Sequence, residues 1–87
     1  MSGARSGLEA AVQAIVAKHL DVPLDRVRSE AHLVGDLGAD LVGLTQLALA
    51  LESEFGIEIV DAEWIDVERV GHVVDYVNEC VARRNAE

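Results

Sequence analysis

Aliphatic residues recur at helical spacing along three stretches of this 87-residue chain, and that recurrence limits its fold more than any other feature. Leu8, Val12, Ile15, Val16, His19 and Leu20 fall on one helix face. Leu44, Leu47, Leu51 and Phe55 form a second stripe with Ala48 beside it, and Val70, Val73, Val74, Val77 and Val81 form a third. Phe55, Trp64 and Tyr76 are the only aromatics, so the core these faces share must be built from Leu, Val, Ile and Ala. A chain this short supports one core and buries about 60–65% of its unfolded surface, which makes each apolar position count.

Local signals set the boundaries. Ser6 followed by Glu9 is a capping-box pattern, which places the first helix from about Gly7 to Leu20 behind a flexible tail, 1–6. Asp21-Val22-Pro23 ends it, because proline disfavours helical geometry in the residue before it. Residues 23–40 carry few helix signals beyond a short turn at Leu24–Val27. Asp40 is the expected N-cap of a second helix, Leu41 to about Phe55, with Gly56 just past its end. Gly43 in its first turn is out of place, since glycine costs up to about 1 kcal/mol relative to alanine there. Ile57-Glu58-Ile59-Val60 reads as an extended link; a strand is the alternative, but one strand has nothing to pair with. Asp61 is expected to cap a short third helix to about Asp66. The fourth runs to Arg84, with Arg83 and Arg84 at its negative end and 85–87 as a short tail. Its valines are poor helix formers, so packing must hold it. The expected fold is all-α: a single domain, 7–84, forming a four-helix bundle of three longer helices and one short one, with a long loop between the first two.

Composition narrows the function. The net charge of −9 argues against binding to nucleic-acid phosphates or insertion into anionic membranes, and favours partners with basic patches. Cys80 is the only cysteine, which excludes an intramolecular disulfide and a cysteine zinc site; a buried, inert thiol is expected. No apolar run approaches the ~18 residues of a membrane span, and Met1–Gly7 carries no hydrophobic signal segment, so a soluble cytoplasmic protein is expected. His19, His32 and His72 are scattered and suit surface or cap roles, so no metal is expected. Asp36 and Asp40 do not make a calcium loop, and Gly35 and Gly38 do not make a phosphate cradle. No acid–base pair points to an enzyme.

The informative stretch is Asp36-Leu37-Gly38-Ala39-Asp40, followed by a helix ending Ala50-Leu51-Glu52-Ser53-Glu54-Phe55-Gly56-Ile57-Glu58-Ile59. With Ala31-His32-Leu33-Val34 before it and Asp75-Tyr76-Val77 near the end, it resembles the acyl carrier protein family over roughly residues 8 to 80. The resemblance implies a right-turning four-helix bundle that carries acyl chains in fatty-acid or polyketide biosynthesis. It also implies a serine after Asp40, whose hydroxyl bears 4′-phosphopantetheine. Position 41 is leucine, which has no oxygen to esterify, so no cofactor is expected here; 4′-phosphopantetheine would be expected if position 41 were serine. Ser2, Ser6, Ser29 and Ser53 lack the required context, and Thr45 lies inside the helix.

The resemblance further implies docking through the second helix on basic patches of acyl-transfer and synthase enzymes. The positions concerned are Asp40, Val42, Thr45, Leu49, Glu52 and Glu54, with Gly43 and Gln46 standing where acidic residues are usual. Trp64 falls where the family has a small residue near its acyl cavity, and is expected either to plug that cavity or to lie on the surface of the third helix. Three readings follow: a monomeric pseudo-carrier that docks or regulates without an arm, an ordinary carrier whose serine has been substituted, or an unrelated helical interaction module.

Overall fold

The three aliphatic stripes face one another. The computed structural model describes residues 3–86, and the side chains of residues 7–85. Helix α1 spans Gly3–Leu20, α2 Leu41–Phe55, α3 Asp61–Trp64 and α4 Val70–Ala86, with a single 3-10 turn at Leu24–Arg26 in the long first connection. Val12 and Val16 of α1, Leu47 and Leu51 of α2, and Val70, Val73 and Val77 of α4 are wholly buried in one cluster. The poor helix propensity of the α4 valines is thus offset by burial of that face. Among the described residues there is no strand, only an isolated antiparallel bridge between His32 and Arg69, and Ile57–Val60 is the extended link. The architecture is the expected all-helical bundle.

Four boundaries differ from expectation: the starts of α1 and α3 and the ends of α3 and α4. α1 starts at Gly3 rather than near Gly7, so Ser6 lies within the helix and not at its cap; the Ser6 side chain is outside the described residues. Glu9 instead accepts from the Ser29 hydroxyl at 3.2 Å. α4 runs to Ala86, so Asn85 and Ala86 lie within the helix rather than in the expected tail, 85–87, and the side chains of 1–6 lie outside the described residues. α3 is a single turn ending at Trp64, with Val60 rather than Asp61 at the N-cap position and no side-chain cap. Asp61 is its first helical residue, where a carboxylate favours the positive helix end without closing a hydrogen bond.

The ends of α2 follow their local chemistry. Asp40 is extended and its Oδ1 accepts the Gly43 amide at 2.7 Å, which satisfies one of the orphan donors of the first turn. Gly56 ends the helix in the left-handed region at φ 62° and returns its amide to the Glu52 carbonyl. Asp21 performs the same turn after α1 at φ 57°, a conformation that Asp tolerates better than most residues. It is this residue, ahead of Pro23, that turns the chain, with Val22 N–H donating to Ala17 O at 3.1 Å.

Backbone hydrogen bonds fasten the long first connection to the start of α4. Leu33 N–H donates to Glu68 O at 2.8 Å, Val70 N–H to Ala31 O at 3.0 Å, and Gly71 N–H to Ser29 O at 2.8 Å. A Cβ at Gly71 would stand 3.1 Å from that same Ser29 oxygen, so the close approach requires glycine or a shift of the loop. Leu33 and Leu37 descend from this connection into the core. The loop that delivers the chain to Asp40 is therefore held at both its middle and its end.

Candidate functional site

The site is the N-terminal half of α2 and the cleft beside it. Ala39 is buried and its amide donates to Leu33 O at 2.9 Å, while Gly38 at φ 73° makes the turn that brings Asp40 into cap position. The next residue, Leu41, is 81% exposed, and Val42 is 63% exposed. Exposed leucine at the first position of a capped helix is unusual when the same helix buries Leu47 and Leu51 completely, because it leaves apolar surface in water without packing gain. Val42, Thr45 and Leu49 follow at helical spacing and are all exposed, forming a strip on the outer face. Gly43 is explained by its neighbours: a Cβ there would lie 3.2 Å from the capping Asp40 oxygen and 3.4 Å from Leu20.

Leu41, Leu44, Thr45, Asp61, Trp64 and Val67 line a cleft of about 350 Å³ between α2 and α3, with Ile65, 79% exposed, at its rim. Trp64 stands at this cleft. The half-buried indole forms one wall and leans on Tyr76, with ring centroids 6.4 Å apart and planes tilted by 41°. The reason lies in how α3 is anchored. The Tyr76 hydroxyl accepts Val60 N–H at 3.1 Å and donates to Glu63 Oε1 at 2.8 Å, fixing the single turn against α4 and leaving the cleft open. Burial pushes the Tyr76 hydroxyl up to about 12; the bond to Glu63 acts in the same direction and that from Val60 opposes it.

The acidic residues divide. Asp40 and Glu54 are exposed. Glu52 is half-buried, and its Oε2 accepts Ile59 N–H at 2.8 Å, so one of its oxygens is committed to the turn after α2. Sequence reasoning grouped Glu52 with the outward-facing residues and missed this internal bond, whose partner lies beyond the helix end.

No oxygen at position 41 is available for a phosphodiester, and the nearest hydroxyl on the helix, Thr45 Oγ1, donates back to Leu41 O at 2.9 Å. Among the described residues no His, Cys, Asp and Glu side chains converge on a metal site. Cys80 is buried with Sγ 4.0 Å from Glu58 O, and burial pushes its thiol up, the direction of an unreactive group. No described helix is long and apolar enough to cross a membrane. His32 was assigned only a surface or cap role by sequence; it caps the loop ahead of Asp40 with its ring nitrogen, which accepts the amides of Val34 and Gly35.

Comparison with known proteins agrees with this geometry. Residues 10–77 match the family model described as "Phosphopantetheine attachment site". The acyl carrier proteins of Helicobacter pylori strains G27 and HPAG1 are each 41% identical to the chain over 68 residues, covering 78% of this chain and 87% of theirs. Members of this family are carriers rather than enzymes. A match across the loop, α2 and α4 together, on an all-helical bundle of the expected order, leads to one conclusion: the chain belongs to the acyl carrier protein family.

Proposed function

We propose that this protein is a pseudo-carrier of fatty-acid or polyketide biosynthesis: an acyl-carrier fold that docks on acyl-transfer or synthase enzymes, and occupies or regulates their carrier site without a prosthetic arm. The observation that carries this reading is Leu41, an apolar side chain 81% exposed behind an intact Asp40 cap, where the family resemblance puts the attachment serine. Gly43 and Gln46 support it, since they remove two expected acids from the same helix. The contact surface would be the strip of Val42, Thr45 and Leu49, with Leu41 and Ile65 meeting an apolar surface of the partner. Asp40 and Glu54 would meet its cations, with Glu52 contributing its uncommitted oxygen. The protein acts as a cytoplasmic monomer in this reading, because a net charge of −9 opposes self-association of the acidic face.

A second reading is an ordinary carrier whose serine has been substituted. It draws on the same exposure, which is what an attachment residue requires. Intact mass separates the two when measured before and after incubation with coenzyme A and a broad-specificity phosphopantetheinyl transferase, on wild type and Leu41→Ser. Unchanged wild type with a Leu41→Ser protein that gains the arm shows a scaffold lacking only its hydroxyl. Retained binding of the armless wild type to a synthase then supports the pseudo-carrier, and its absence supports the substituted carrier. If neither is modified, α2 has diverged from transferase recognition altogether. A mass gain by wild type, through Thr45 or elsewhere, overturns the pseudo-carrier.

A further inference from the structure

We infer that the cleft between α2 and α3 is a receptor for one arginine side chain of the docking partner, stacked on the Trp64 indole and paired with the Asp61 carboxylate. The site rests on the docking proposed for this fold, and it specifies which cation the partner presents and where that cation sits. Asp61 and Trp64 stand three residues apart on the single turn of α3, a spacing that puts them on one helix face, and both line the cleft. Leu44 and Thr45 of α2 and the buried Val67 line the same space.

Three properties of the cleft select a guanidinium. The first is charge. Glu63, the other acid of α3, accepts the Tyr76 hydroxyl at 2.8 Å and stands 3.8 Å from Arg83. Asp61 has no such commitment: among the described residues its carboxylate has no hydrogen bond or ion pair. No described lysine, arginine or histidine of the chain lines the cleft. The second is the aromatic wall. Tyr76 backs the indole with ring centroids 6.4 Å apart, so the ring is held at the cleft before anything binds. Among aromatic side chains an indole face attracts a cation most strongly. The third is the apolar remainder, in which Leu44 and Val67 suit the methylene stem of a long cationic side chain.

Other occupants fit less well. A purely apolar side chain would cover the Asp61 carboxylate without replacing its water. A lysine ammonium is a compact, strongly hydrated charge, whereas a guanidinium is planar, more weakly hydrated and able to stack and pair at once. At about 350 Å³ the cleft lies near the lower end of small-ligand pockets, roughly 300 to 1,000 Å³, which suits one long side chain rather than a whole helix. Leu41 and Ile65, 81% and 79% exposed beside it, supply an apolar collar that excludes water from the pair once a partner covers them.

The test uses the intact protein and N-acetyl-arginine amide as probe, with N-acetyl-lysine amide and N-acetyl-leucine amide beside it. Trp64 is the only tryptophan, so its fluorescence and its indole N–H resonance report on the cleft directly. The arginine probe should shift both saturably at millimolar concentration, and the lysine and leucine probes should bind roughly threefold more weakly or worse. Asp61→Asn should weaken the arginine probe roughly fivefold, the upper scale of an exposed ion pair. Glu58→Gln removes the same charge outside the cleft and should leave binding unchanged. Trp64→Leu, followed by the amide resonances of Thr45 and Ile65, should weaken the probe roughly threefold. Asp61→Asn leaves the indole and its packing in place, so the outcome does not hang on how well Trp64→Leu folds. The arginine cleft is overturned by the lack of a saturable response to the arginine probe, by lysine or leucine binding as tightly, or by an Asp61→Asn protein that binds as wild type does. None of these outcomes touches the pseudo-carrier, which stands or falls on the mass measurement and on synthase binding. Conversely, a wild type that gains an arm leaves the probe result intact.

Discussion

The two sets of aliphatic residues on α2 have opposite fates. Leu47 and Leu51 are wholly buried in the core cluster that also holds residues of α1 and α4, whereas Leu41, Val42 and Leu49 stand 60–81% exposed on the same helix. Residue type does not distinguish them; position around the helix does. Burial explains the first set through the hydrophobic effect, and no folding term explains the second. The exposed strip is where the proposed docking on a partner would gain apolar burial.

The largest effect should come from the buried set. Leu47→Ala removes a fully enclosed side chain at the centre of the bundle and should cost about 3–4 kcal/mol by urea denaturation. That is a large share of the roughly 5–15 kcal/mol available to a small domain. A cost below about 1 kcal/mol would mean that the core is loosely packed and would remove the basis of the comparison.

Next in size is an alkaline effect at the wall of the cleft. The Tyr76 hydroxyl has an ordinary value of 10.0 and is raised to about 12 in the fold. Between those values the native state holds a proton that the unfolded chain has lost. Stability therefore falls as pH rises through this window, by a total on the order of 2 kcal/mol. Below pH 10 this contribution is constant. Phenolate absorbance should show the late ionisation, and urea midpoints should fall more steeply above pH 10 in wild type than in Tyr76→Phe. Equal slopes would show that α3 is not held by this hydroxyl, and the open cleft would lose its explanation.

A smaller effect belongs to the cap on which both sets depend. Asp40→Ala should cost about 1 kcal/mol, because the Gly43 amide loses its acceptor at the start of α2. Asp40→Asn should keep most of that stability, since asparagine caps comparably, while removing a charge from the exposed face. Comparing the two separates what the residue does for the helix from what its charge does for a partner.

These residues also show what could be read from the sequence. α2 was legible at both ends because Asp40 and Gly56 act on their own turn: a carboxylate reaches an amide three residues on, and glycine takes a left-handed φ. The core stripes were legible because helical spacing puts them on one face. The first turn of α1 was not, since Ser6 and Glu9 match a cap pattern that the helix overruns, and Glu9 pairs with Ser29 from the distant loop. The placement of Trp64 depends on Tyr76 in another helix, and Gly71 is explained only by the Ser29 carbonyl brought against it. Of the candidate site, the composition of the α2 face was legible and a surface or cap role for His32 was expected, but the commitment of Glu52 to Ile59 and the particular amides that the His32 ring caps were not. Each of those depends on tertiary placement or on which ring nitrogen faces an amide, and neither has a spacing rule.

The smallest effect on stability carries the most information. Leu41→Ala should change stability by less than about 0.5 kcal/mol, because an 81% exposed side chain has little burial to lose and alanine is at least as good a helix former. The same substitution should weaken docking on a basic acyl-transfer or synthase partner, since an exposed leucine loses its water only when a partner covers it. Set beside Leu47→Ala, it tests whether two leucines six residues apart on one helix serve separate ends. A Leu41→Ala protein that loses stability on the scale of Leu47→Ala would show that Leu41 is covered in solution. Its melting temperature would then rise with protein concentration as mass action requires, the cover being a second copy of the chain. A Leu41→Ala protein that keeps both its stability and its partner binding would move the docking surface away from the start of α2, leaving Leu49 and Ile65 as the next exposed residues to replace.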